Sequence, residues 1–148
     1  LPRPQRRGGP PRLVGGNGAR RTLPLAARLA DEWNAVYLPP ADFIRLNARL
    51  DELLEIEGRQ TNEVRRSLMT GCVFGSSQAE VARKVAERTQ GKRDADQLRA
   101  HGVLVGAGLE IRNQIEALAL AGVQQVMLQW LDLDDLDGLE DLAKALMG

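Results

Sequence analysis

Between Leu13 and Leu29 the chain places four small or polar residues between an apolar run and an amphipathic one. Arg12-Leu13-Val14 is a short strand candidate closed by Gly15-Gly16-Asn17-Gly18, and Leu23, Leu25, Ala26, Leu29 and Ala30 follow at helical spacing. Glycines between a strand and a helix allow close backbone approach. The helix start adds unpaired N–H groups and a positive dipole end, which together suit a phosphate. Arg20 and Arg21 fall in the first turn, where cations disfavour the helix itself and an anionic ligand would give them a purpose. Thr22 adds a hydroxyl donor. The segment is neither GxxxxGK[ST] nor GxGxxG, because Gly16-Asn17-Gly18 is followed by Ala19-Arg20-Arg21. Two alternatives stand on these residues: a phosphate cradle, or a tight turn with solvated arginines.

Other residues with chemical potential have simpler explanations. His101, the single histidine, sits in a polar stretch and is expected at the surface; alone it completes no Ser/His/Asp set. Cys72 lies on an apolar strand candidate and is expected in the core. Trp33 and Trp130 belong with strand ends, where packing is the default and lining a cofactor pocket the alternative. The run Asp132 to Gly138 invites comparison with a calcium loop, but Leu136 and Asp137 occupy the fifth and sixth positions, where an oxygen ligand and glycine are required. Acids entering a helix N-terminus account for the run.

The elements that would position these residues alternate. Residues 1–11 hold four prolines and two glycines and read as a connector. A second strand is expected at Glu32 to Tyr37, stopped by Pro39-Pro40. A helix then carries Phe43, Leu46, Leu50, Leu53, Leu54 and Ile56 and ends at Gly58. A third strand, Ser67 to Phe74, leads through Gly75-Ser76-Ser77 into a helix from Ala79 to Arg88, with Ser76 or Ser77 as N-cap. Residues 90–100 read as a connector or broken helix. A helix from Leu109 to Ala121, a strand from Gln125 to Trp130 and a helix from about Leu136 to Leu146 complete the chain. Four βα units of about 37 residues each predict an α/β fold with a parallel sheet. Either an open doubly wound sheet or half of a (β/α)8 barrel would satisfy that rhythm, since a whole barrel takes about 250 residues.

With 148 residues, 43% hydrophobic and 27% charged, the chain suits one packed domain. Twenty basic residues balance twenty acidic ones, which argues against a dedicated nucleic-acid or anionic-membrane protein. The first 21 residues hold six arginines (Arg3, Arg6, Arg7, Arg12, Arg20, Arg21) and no acid, without interleaved aromatics for base stacking. From Asp132 onward six carboxylates face Lys144 alone. One cysteine, no signal-peptide core and no apolar stretch of membrane length point to a cytoplasmic protein. The chain opens on Leu1, which fits a piece of something longer.

The segment Pro11-Arg12-Leu13-Val14-Gly15-Gly16-Asn17-Gly18-Ala19-Arg20-Arg21-Thr22-Leu23, with Leu25-Ala26-Ala27-Arg28-Leu29-Ala30-Asp31-Glu32-Trp33-Asn34, resembles the luciferase-like monooxygenase family, and within it the branch using coenzyme F420. The likeness continues through Leu104-Val105-Gly106, Ala121-Gly122-Val123, the strand from Gln125 to Gln129 and the acidic last helix. The chain departs from the family at Gly106-Ala107-Gly108, where Gly-Thr-Pro is usual, and at Pro24. The resemblance implies the C-terminal half of a (β/α)8 barrel over residues 12–148, containing strands five to eight. It implies that Gly15, Gly16, Asn17, Gly18, Ala19, Arg20 and Thr22 hold the phosphate of coenzyme F420 or FMN, and that Asn34 faces the cofactor mouth. The implied activity is hydride transfer between the reduced cofactor and a small organic substrate. The residues facing the reactive ring would lie in the other half, so no catalytic residue is named and the isolated chain is expected to be inactive. A half-barrel has two open edges and should form a homo-oligomer or need its N-terminal half. The rival class is a non-catalytic α/β module binding a phosphorylated ligand or a protein.

Overall fold

The computed structural model describes residues 8–147. Arg3, Arg6 and Arg7 of the basic segment, with the rest of residues 1–7 and Gly148, lie outside the described residues, and residues 8–11 form neither helix nor strand. The elements run β1 (Leu13–Gly15), α1 (Thr22–Leu29), β2 (Glu32–Val36), α2 (Pro40–Ile56), a 3-10 turn (Thr61–Glu63), β3 (Arg65–Phe74), α3 (Gln78–Thr89) and α4 (Ala95–Ala100). They continue β4 (Leu104–Gly106), α5 (Gly108–Leu120), β5 (Gln125–Gln129) and α6 (Leu136–Met147).

β1, β2, β3 and β5 form one parallel sheet in that order, as four βα units require. β3 is the central strand. Its residues Arg65–Met69 pair with Glu32–Val36, while Ser67–Gly71 pair with Gln125–Gln129. Its last three residues extend past both neighbours and carry a strand not foreseen from the four-unit rhythm: Cys72–Phe74 pair with Leu104–Gly106 of β4. β2 leaves as β4 arrives. The Tyr37 amide donates to the Met69 carbonyl at 3.0 Å, and one residue on the Thr70 hydroxyl donates to the Gly102 carbonyl at 2.5 Å. The stretch expected as a connector or broken helix is α4, capped by Asp94, which accepts from the Gln97 amide at 2.8 Å.

Helices cover one face of the sheet, and their apolar spacing explains why. Phe43, Leu46, Leu50 and Leu54 recur every three or four residues along α2 and are all buried. They meet Trp33, Ala35 and Leu68, the alternate residues of β2 and β3 that share this face. Trp33 is stacked on Phe43 with ring centroids 5.3 Å apart. Pro24 is third in α1, within the first turn, where its missing N–H costs nothing. Ser77 caps α3 through the Glu80 amide. Ala107 leaves α5 without a side-chain cap, and the Glu110 carboxylate accepts from the Ala107 amide at 2.9 Å.

The other set of alternating residues mixes a polar row, Asn34, Ser67 and Gln125, with an apolar one, Val36, Met69 and Met127. Asn34 Nδ2 donates to Ser67 Oγ at 2.8 Å and approaches Met127 Sδ at 3.7 Å, while Ser67 Oγ donates to Glu32. A sheet whose alternate residues pack under helices on one side and form a second row on the other is what a barrel wall presents to its lumen. Among the described residues no helix is long and apolar enough to cross a membrane.

Candidate functional site

The strands end on one rim, and the glycine loop occupies the rim position after β1. The Gly16 amide donates to the Asn34 carbonyl at 2.9 Å, extending the β1–β2 ladder by one bond. Asn17 then extends it with its side chain: Nδ2 donates to the Val36 carbonyl at 2.6 Å, and Oδ1 accepts from the Val36 amide at 2.9 Å. A carboxamide thus takes the place of a backbone peptide. Gly16 adopts φ +118°, a conformation that side chains disfavour, and its carbonyl accepts from Trp33 Nε1 at 2.9 Å. A Cβ on Gly18 would lie 2.8 Å from Thr22 Oγ1. Gly16 and Gly18 are therefore required by the turn, whatever it binds.

The amides that follow are different. The Gly18 carbonyl accepts from Arg21 and Leu23, closing the turn into α1. Among the described residues, the amides of Asn17, Gly18, Ala19 and Arg20 meet no acceptor. Gly18, Ala19, Arg20 and Arg21 are exposed, and neither arginine has a carboxylate partner among the described residues. Arg21 occupies the N-cap position without a capping side-chain bond. The site is a cluster of donors at a helix N-terminus with cations beside it. Such an arrangement receives an anion.

Asn34 is not gathered into this cluster. It is the third of five residues in β2, is buried, and turns its amide to Ser67; only its backbone carbonyl touches the loop. The rim residue of β2 is Tyr37. Its φ of +51° is unusual for a residue with a side chain, and its hydroxyl donates to Gln129 Oε1 at 2.5 Å, crossing Gly71 on β3. Tyr37 and Gln129 were not singled out by residue type. The signal available was position, one at the stop before Pro39-Pro40 and the other at the end of a strand.

A second polar cluster lies at the rim beyond β3. Lys84 of α3 is buried, and Nζ donates to the Phe74 carbonyl at 3.1 Å and to Asp135 at 2.7 Å, with Glu80 at 3.1 Å and the Trp130 ring centroid at 5.7 Å. Its place in the apolar stripe between Val81 and Val85 was the sequence signal for burial. Burial opposes the Lys84 charge, but Asp135 and Glu80 outweigh it and hold its pKa above the usual value. Ser76, through hydroxyl and amide, and then Lys84 lower Glu80 from 4.5 to about 2; Lys84 and the Gly138 amide lower Asp135.

Both carboxylates titrate lower in the folded chain than unfolded, so their contribution is full above 4.5 and is lost as pH falls toward 2. Urea-unfolding midpoints should therefore decline across that interval, and less steeply in Glu80→Gln. An equal slope in the variant would count against the cluster.

Asp135 also caps α6, accepting from Gly138, and Asp132 pairs with Arg88 at 3.5 Å, so the acidic run works as helix entry and ion pairs. Among the described residues no His, Cys, Asp and Glu side chains gather as a metal site. Cys72 is buried, which pushes its thiol up to about 12, and His101 is exposed at the end of α4. Trp130 is half-buried and its Nε1 donates to the Asp132 carbonyl at 2.9 Å.

Residues 1–138 match the family model described as luciferase-like monooxygenase. Riboflavin lyase, solved with modified FMN and riboflavin, superposes with a TM-score of 0.75 at 16% identity, over 94% of this chain and 43% of that one. The monooxygenase RslO1 from Streptomyces bottropensis gives 0.71 at 19% identity, over 99% and 50%. The coenzyme F420-dependent tetrahydromethanopterin reductase from Methanopyrus kandleri gives 0.65 at 18%, over 92% and 48%. At these identities the likeness establishes the fold, and the chain spans about half the length of the structures it matches. No curated protein matches the chain.

Proposed function

Because the chain belongs to the luciferase-like monooxygenase family, we propose that it supplies the cofactor-phosphate grip of an oxidoreductase dependent on coenzyme F420 or FMN. The carrying observation is the row of amides from Asn17 to Arg20 at the start of α1, which meet no acceptor among the described residues, flanked by Arg20 and Arg21, which meet no carboxylate among them. The donor set fits a phosphate, since amides, guanidinium groups and the Thr22 hydroxyl supply hydrogen bonds without bringing a carboxylate. Gly15, Gly16 and Gly18 keep the approach open, and Asn17 fixes the loop to β2. Asn34 acts one layer below, holding the wall beneath the loop through Ser67.

The bound cofactor would supply hydride chemistry toward a small organic substrate; this chain orients it from the phosphate end. Residues facing the ring and substrate belong to further βα units that complete the barrel. The setting consistent with a single cysteine is the cytoplasm.

Fluorescence titration of FMN and coenzyme F420 into the chain joined to its preceding half tests the proposal. Saturable binding of one of them, displaced by inorganic phosphate, is expected. If phosphate or a simple phosphorylated ligand binds and both cofactors do not, the loop belongs to a non-catalytic module. Failure of every ligand removes the grip altogether.

A further inference from the structure

Strand alternation sends Trp33 and Ala35 under the helices and leaves Asn34 and Val36 on the lumen face, so Tyr37 is due on the helix side. It does not go there. Its φ of +51° turns the ring back over Gly71, which follows Ser67 and Met69 on the lumen face of β3. A Cβ on Gly71 would lie 3.2 Å from the phenol oxygen, so glycine leaves the ring its room. The hydroxyl then donates to Gln129 Oε1, on the strand beyond. A left-handed conformation at a residue with a side chain persists only where its surroundings hold it. Here they do. The Tyr37 amide donates to the Met69 carbonyl, and the Asn17 carboxamide fixes Val36 just before it. Gly102 lies so close behind that a Cβ there would come within 2.7 Å of the Tyr37 carbonyl oxygen.

The Tyr37–Gln129 pair has hydrogen-bonding capacity to spare. The phenol oxygen keeps lone pairs to accept with, while Gln129 Nε2 meets no acceptor among the described residues and is not buried. Because Oε1 is held by the tyrosine, the amide cannot flip without losing that bond, and its N–H groups keep one direction. One member accepts and the other donates, which is the complement of a row of hydroxyls. The pair also shares its rim with the glycine loop. The loop follows β1, the tyrosine ring crosses from β2 to β3, and Gln129 ends β5. Acceptor and donor thus begin one strand away from the phosphate donors, about 4.8 Å, and lead away from them. We propose that Tyr37 and Gln129 form a polyol site, and that it takes the hydroxylated linker between phosphate and ring in FMN and coenzyme F420. The phenol oxygen accepts from one linker hydroxyl, and Gln129 Nε2 donates to another. The inference rests on the proposed function and deepens it: the phosphate is gripped after β1, and the chain leading from it is laid across the mouth toward β5. Both residues position the cofactor and touch no reacting atom. The strained turn at Tyr37 then has a purpose, since a tyrosine that followed the strand would bury its hydroxyl among the helices.

Calorimetric titration of the chain joined to its preceding half tests the site, with inorganic phosphate, ribitol 5-phosphate, FMN and coenzyme F420 as ligands. Wild type should bind ribitol 5-phosphate more tightly than inorganic phosphate. Tyr37→Phe and Gln129→Met should each lose about three- to tenfold in affinity for the polyol phosphate and for the cofactor. Both variants should bind inorganic phosphate as wild type does. A residue that merely supported the loop would weaken every phosphate ligand alike, so the selective loss separates the two roles. Urea midpoints report whether each variant is folded, and Gln129→Met, at a strand end, decides the matter if Tyr37→Phe is not. A wild type without preference for the polyol, variants that bind as wild type does, or an equal loss for all ligands overturns the proposal. If the polyol preference passes these tests while neither cofactor binds, the proposed function falls and the polyol site stands. A wild type that binds none of these ligands removes both.

Discussion

Replacing Trp33 by alanine is expected to cost about 3–5 kcal/mol, enough to remove much of the stability of a domain worth about 5–15 kcal/mol. The indole is fully buried, is stacked on Phe43, and sits among Ala35, Leu46 and Leu68 in the main core. Removing it leaves a cavity at the junction of β2 and α2, where neither element can collapse without losing strand pairing. Trp33→Phe separates packing from hydrogen bonding. It keeps most of the ring volume but releases the Gly16 carbonyl, which the indole N–H holds at 2.9 Å. The phenylalanine variant should therefore stay folded, lose about 1 kcal/mol, and bind phosphate ligands more weakly because the loop has slackened. Urea-unfolding midpoints distinguish the cases. An alanine variant as stable as wild type would mean that the β2–α2 interface is not the keystone described.

Gly16→Asp should weaken binding of FMN or coenzyme F420 to the chain joined to its preceding half by at least about a hundredfold, or about 2.7 kcal/mol. Two causes act together. The φ of +118° strains any side chain, and the added carboxylate stands beside the donors meant for an anion. Gly16→Ala carries only the first cause and should lose about tenfold. Raising salt should narrow the gap between the two variants, since screening acts on charge repulsion and leaves backbone strain alone. If aspartate and wild type bind equally, the loop is not where the phosphate sits.

Much of the architecture was legible in the sequence because it is written in local patterns. The apolar spacing of Phe43, Leu46, Leu50 and Leu54 marks the buried stripe of α2, and the strand, glycine loop and helix at Leu13 to Leu29 appear where the punctuation places them. β4 was missed as an element. Three residues are too few to show alternation, and Leu104–Gly106 is a strand only because β3 extends far enough to pair with it. β3 itself begins two residues earlier than expected, at Arg65. Strand alternation turns Arg66 into the helix layer, where it bonds Asn47, Asp51 and the Thr61 and Val64 carbonyls.

The candidate site was legible as a loop but not as a set of roles. The resemblance placed Asn17 among the phosphate contacts; its carboxamide bonds the Val36 peptide, 19 residues away, and its backbone amide is what it has left for a ligand. The resemblance set Asn34 at the cofactor mouth, but it is the third of five residues in β2 and is buried, with its amide on Ser67. Such long-range partnerships leave no periodic trace in a single sequence. Lys84 is the intermediate case: its stripe position foretells burial, but its partner Asp135 lies 51 residues on.

β3 has a further consequence for how chains of this kind diversify. Its lower part sets the alignment of β2 and β5, and its last three residues alone carry β4. Insertions or deletions in the exposed turn between α3 and α4, residues 90–94, therefore fall outside the barrel wall, provided α3 keeps Lys84 on the Phe74 carbonyl and an apolar triplet remains to dock on Cys72–Phe74. The depth and shape of the bowl above the wall can change by length alone, leaving the Gly16–Asn34 junction untouched. One overlong strand thus makes the rim an exchangeable part and the wall a conserved chassis.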